Sequence, residues 1–204
     1  MRSRLSLFLL ALILLTHFSQ AQIVGTNVYI KGAYVEIGMI SDGAFGAPAP
    51  PVGYHPHFGS LAEVYDYGHD GWAVGAPPFM GDYTYPGSPF EGWTVQANGQ
   101  RVQGYQWWTP GYQFSGGGTI AGAGITSYSN APGPLGYAGN TLRANWQGNM
   151  VAGTLLVKTE TRVDTLASAV TMTTKFYNTG GTAIPGVYYW RSADPDNDQT
   201  WPGG

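Results

Sequence analysis

The sequence predicts an all-β fold, an antiparallel β-sandwich with long loops rich in Pro, Gly and aromatic residues and almost no helix after its N-terminal leader. Three observations predict it. The 204 residues include 31 Gly and 14 Pro, and within a helix Gly costs about 1 kcal/mol and Pro about 3 kcal/mol relative to Ala. Val157, Thr159, Thr161 and Val163 alternate with Lys158, Glu160 and Arg162, the period-two pattern of a strand with one covered face. Asn98-Gly99 separates two runs of strand-forming residues, and this dipeptide is the strongest short-range hairpin signal. Many short strands joined by turns bury their inner faces by pairing sheet on sheet.

The first element is a leader. Arg2 and Arg4 precede an almost unbroken apolar stretch from Leu5 to Phe18, and Ser19-Gln20-Ala21 offers small residues before Gln22. This is the pattern of a secretory signal peptide cleaved after Ala21. The apolar stretch is shorter than the roughly 20 residues that span a bilayer, and no second one follows, so no transmembrane segment is expected after cleavage. Secretion or display on the outer cell surface is the expected location. The chain has no Cys, which leaves neither a disulfide nor a thiol for a lipid anchor.

Residues 22–204 are then expected to form one β-sandwich module, the N-terminal part of a longer protein. Ile23 to Ile30 and Ala33 to Ile40 read as two β runs broken at Lys31-Gly32, the first hairpin, with Ser41-Asp42-Gly43 closing the second run. Between Ala44 and Gly92 eight prolines exclude long strands. The density of aromatic residues there, Tyr54, Phe58, Tyr65 and Trp72 among them, argues for an ordered loop region rather than a solvated tether. Trp93 to Ala97 and Gln100 to Trp108 form the hairpin around Asn98-Gly99. After a Gly-rich stretch from Gly116 to Gly124, three strands are expected at Met150 to Val163, Ala167 to Tyr177 and Ile184 to Arg191, with Asn178-Thr179-Gly180-Gly181 as the turn between the last two.

Composition narrows the chemistry. With 43% apolar residues the chain buries a core, which excludes a disordered polar tail. With 9 Lys plus Arg against 12 Asp plus Glu, it lacks the basic surplus that nucleic acid demands. No Gly-x-Ser-x-Gly, His-Glu-x-x-His or phosphate-cradling loop occurs, so enzymatic activity has little support. Asp194, Asp196 and Asp198 alternate in one turn, a spacing at which carboxylate oxygens converge on calcium, although Gln199 stands where calcium loops carry Gly. A solvated acidic turn is the other reading. His55, His57 and His69 lie near Glu63, Asp66 and Asp70, residue types that suit zinc, but the surrounding Pro and Gly favour hydrogen-bonded loop histidines. Asp42, Asp82 and Glu91 sit in turn-like contexts and form no evident acid/base pair. Trp107, Trp108 and Tyr112 flank Thr109-Pro110-Gly111 at a strand end, where aromatic faces stack on sugar rings or fill the core.

Three strings carry a resemblance. Gly53-Tyr54-His55-Pro56, the segment from Gly81 to Trp93, and Tyr188-Tyr189-Trp190-Arg191-Ser192-Ala193-Asp194-Pro195-Asp196 resemble the opening module of large secreted surface proteins of gliding, Bacteroidetes-type bacteria. The resemblance implies a long, β-rich, multidomain extracellular protein, exported and then attached to the outer surface. Together these readings lead to the expectation of a noncatalytic module for adhesion or glycan binding, with polysaccharide or other surface components as partners. The alternative is the N-terminal β domain of a carbohydrate-active enzyme.

Overall fold

A computed structural model of the chain describes residues 20–56, 59–66, 68–69, 71–72, 84, 91–106, 113–115, 119–129, 141–150 and 153–193. The fold is all-β, and no helix occurs among these residues. Its strands, in chain order, are β1 (Gln20–Val24), β2 (Asn27–Lys31), β3 (Val35–Met39), β4 (Ala47–Pro48), β5 (Ser60–Leu61), β6 (Glu63–Tyr65) and β7 (Glu91–Ala97). They continue with β8 (Gln100–Gln106), β9 (Gln113–Ser115), β10 (Thr119–Ser129), β11 (Thr141–Met150), β12 (Leu155–Asp164), β13 (Val170–Asn178) and β14 (Tyr188–Ala193).

All strand pairings are antiparallel. They make three four-stranded sheets, ordered β1-β2-β3-β6, β14-β7-β8-β9 and β10-β11-β12-β13, with β4-β5 as a separate ribbon. The first sheet lays β1 and β2 across β10 and β11, which brings two apolar faces together in the manner of a sandwich. Val28, Ile30, Val35, Ile37 and Met39 from one side and Leu142, Ala144, Leu155, Val157 and Val163 from the other form this core. In β12 the burial alternates from Leu155 onward, with Val157, Thr159, Thr161 and Val163 inside, as the sequence pattern predicts.

The hairpin at Asn98-Gly99 is present with Ala97 opposite Gln100. Asn98 and Gly99 have φ of 47° and 72°, the left-handed pair that matches a two-residue turn to strand twist. Three expectations need correction. The run from Ile23 to Ile30 is split by a turn at Gly25-Thr26, which pairs Val24 with Asn27, so a hairpin β1-β2 precedes the expected one, which β2 forms with β3, Val28 opposite Met39. Met150 to Val163 is likewise two strands, because Gly153 turns back onto Met150 through its amide, 3.0 Å from the Met150 carbonyl. Met150 therefore ends β11, a strand the sequence reading overlooked. Finally, Asn178 to Gly181 does not join two paired strands. The Asn178 side chain ties this bend down by accepting from the Gly180 amide and donating to the Thr182 carbonyl, and the chain then crosses to the other sheet, where β14 pairs with β7.

Candidate functional site

The turn at Ser41-Asp42-Gly43 is where all three large sheets meet. Trp93 on β7 donates its indole N–H to the Asp42 carbonyl at 2.8 Å. Trp146 on β11 donates its own to the Ser41 carbonyl at 3.1 Å. The two indoles lie 5.0 Å apart and tilted by 51°. Below them sits a buried charge cluster. Glu91 forms an ion pair with Arg191 and accepts the Phe45 amide at 2.8 Å, while the Arg191 guanidinium stands 5.0 Å over the Phe45 ring. Burial pushes the Glu91 carboxyl above its ordinary range, against the pull of Arg191. Sequence reading left Glu91 and Asp42 in turns. Both are buried, and Glu91 opens β7.

Burial also pushes the Asp42 carboxyl up to about 6, with the Ala44 amide opposing. One Asp42 oxygen accepts that amide at 3.0 Å, and the other is buried without a partner among the described residues. A carboxyl raised in the folded state binds more protons there than in the unfolded chain, so ionising it lowers stability. The expected result is a loss of about 2–3 kcal/mol as pH rises from about 4 through 6. Asp42→Asn should remove this loss. In urea titrations the variant should be the more stable protein above pH 7 and match the wild type below pH 4; parallel profiles would refute the assignment.

The cluster anchors β14, and among the described residues β14 carries the most exposed aromatic surface. Arg191 and Tyr189 point inward, where the Tyr189 ring meets Phe176 edge-on at 5.5 Å. Period-two alternation then turns Tyr188, Trp190 and Ser192 outward. Tyr188 and Trp190 are 55% and 50% exposed, and their rings lie nearly parallel with centroids 5.8 Å apart. Register places Tyr188 beside Gln96 and Arg101, and Trp190 beside Thr94 and Gln103. The outer face is thus an aromatic pair bordered by amides, a hydroxyl and one guanidinium. Such a surface offers apolar ring faces for stacking and polar groups that fix orientation.

Other residues singled out in the sequence distribute differently. Trp107, Trp108, Tyr112, Asp194, Asp196, Asp198 and His57 lie outside the described residues. His55 and His69 are not neighbours in one cluster. His55 Nδ1 lies 2.9 Å from Glu36 and its ring stacks on Trp72 at 4.5 Å. His69 stacks on Tyr34 at 3.8 Å and bonds the Ser168 hydroxyl. Glu36, wholly buried, also pairs with Lys31, so this carboxylate holds the loop of Tyr54 and His55 onto the first sheet. Among the described residues no group of three or more His, Asp or Glu side chains comes together as a metal site, and no helix is long and apolar enough to cross a membrane. No family model, curated protein or solved structure matches the chain.

Proposed function

We propose that the chain is a secreted or surface-attached, noncatalytic β module that holds glycan on the outer face of β14, β7 and β8, and so serves adhesion. The observation that carries this reading is the half-exposed Tyr188–Trp190 pair. Contiguous aromatic surface left in water on a regular sheet marks an interaction surface. Sugar rings suit this one because they present an apolar face to the rings and hydroxyls to Gln96, Gln103 and Thr94. The leader sequence and the resemblance to surface proteins of gliding bacteria support an extracellular setting. Trp107, Trp108 and Tyr112 belong to the same proposal as further candidates for stacking on sugar rings.

Trp190→Ala tests it. A stacking contact is worth about 1 kcal/mol, so retention on insoluble polysaccharide should weaken by about fivefold. The melting temperature should stay unchanged, because the side chain is half in water already. A second reading has its own observation: among the described residues β14 is an edge of its sheet with Val187 also exposed, and such edges pair with other strands. If Trp190→Ala leaves polysaccharide retention intact but abolishes self-association in solution, that reading replaces the first.

A further inference from the structure

The outer face of β11, β12 and β13, on a different sheet from Trp190, concentrates the positive charge of an acidic protein. Of the seven Lys and Arg residues beyond the leader, Lys31 and Arg191 are held in ion pairs with buried carboxylates. Four of the other five, Arg143, Lys158, Arg162 and Lys175, project from this one face. The register puts them in direct cross-strand opposition. Lys158 lies opposite Lys175, and Arg143 lies opposite Arg162. Like charges directly opposite each other destabilise a sheet, and here two such pairs flank one row. That row, Asn145, Glu160 and Thr173, contains one carboxylate, Glu160, which is already paired with Arg162, while Asp164 at the end of β12 is buried and accepts from the Thr141 hydroxyl. Among the described residues the buried Arg143 Nε has no hydrogen-bond partner.

The same strands enclose a concavity of about 640 Å³, lined by Asn145, Gln147, Lys158, Glu160, Thr173 and Lys175, with Tyr177 at its end. Tyr177 is partly exposed, and the Lys158 ammonium stands 5.6 Å from its ring centroid. A cationic rim, amides and a hydroxyl in the middle, and one aromatic at the end make a surface suited to a ligand that carries both anions and many hydroxyls.

We propose that this concavity is a second binding site, for an anionic polysaccharide whose carboxylate or sulfate groups lie between Lys158 and Lys175. The bound anion converts the Lys158–Lys175 repulsion into two charge-assisted contacts, while Asn145, Gln147 and Thr173 take the ring hydroxyls. Nucleic acid fits less well, since the cations form one compact cluster rather than a track, and a single aromatic offers no succession of stacking faces.

Affinity electrophoresis of the secreted protein through gels containing polygalacturonate, dextran sulfate, dextran or DNA tests the site. The wild type should be retarded by polygalacturonate, dextran sulfate or both, less so as salt rises, and the two gels tell carboxylate from sulfate. Lys158→Gln with Lys175→Gln should weaken that retardation at least about tenfold, and the variant should melt no lower than the wild type because it removes a like-charge pair. Made in a Trp190→Ala background, the same double substitution should weaken the retardation by the same factor, which separates this site from the aromatic face. Equal retardation of wild type and double variant, a Trp190→Ala protein retarded as strongly by dextran as by the anionic gels, or stronger retardation by DNA would each overturn the proposal.

Discussion

Replacing Arg191 with Ala is expected to lower the free energy of unfolding by about 3–5 kcal/mol. Glu91 is 3% exposed, and without the guanidinium the hydrogen bond left to it among the described residues is from the Phe45 amide. A carboxylate stripped of water and of its counter-ion must ionise at high cost or stay protonated. The substitution also removes the cation from the Phe45 ring and the donor to the Gly43 carbonyl. Domains of this size are stable by about 5–15 kcal/mol, so the variant should unfold at a clearly lower urea concentration with an unchanged slope. Glu91→Leu combined with Arg191→Met should be more stable than Arg191→Ala, because apolar groups of similar volume leave no orphaned charge. If Arg191→Ala loses less than about 1 kcal/mol, the pair contributes no net stability.

The contrast between these buried charges and the strands explains what a sequence reading can reach. The alternation at Val157 to Val163 and the Asn98-Gly99 turn are local, and the structure keeps both. The Gly25-Thr26 turn was missed because its flanks are uniformly strand-forming, so the break carried too little contrast. β11 was missed for a related reason. Its exposed positions Gln147 and Asn149 and its buried Gly148 weaken the apolar half of the pattern, which the pairing with β12 supplies instead. The partners of Glu91 and Asp42 are not local at all. Glu91 meets Arg191 only because the chain leaves β13 and adds β14 to the sheet of β7, and no spacing in the sequence encodes that crossing. The same crossing exposes Tyr188 and Trp190. Their types were visible, but whether a β-strand's aromatics point inward or outward depends on register. The cations of β11 to β13 were equally visible one by one, yet their opposition appears only when three strands are aligned.

Gly43→Ala is the second substitution expected to do large damage, about 2–5 kcal/mol, from two sources that add. Gly43 has φ of 87°, a conformation that costs an L-residue about 1–2 kcal/mol. A methyl group there would also lie 2.7 Å from Cδ2 and 2.9 Å from Cε2 of Trp146. The indole cannot retreat freely, since its N–H is bonded to the Ser41 carbonyl and its ring rests on Trp93. Overpacking of this kind costs about 1–3 kcal/mol. Gly99→Ala separates the terms. Its φ is 72° with no atom within 4 Å of the added carbon, so it should show the backbone cost alone. Urea midpoints give both losses, and circular dichroism of the Trp93–Trp146 pair reports whether the indoles have moved apart. Gly43→Ala should lose clearly more than Gly99→Ala and alter the indole signal. Equal losses with an unchanged signal would mean that the turn at Ser41 to Gly43 accommodates the methyl group, and that the junction of the three sheets is looser than its contacts imply.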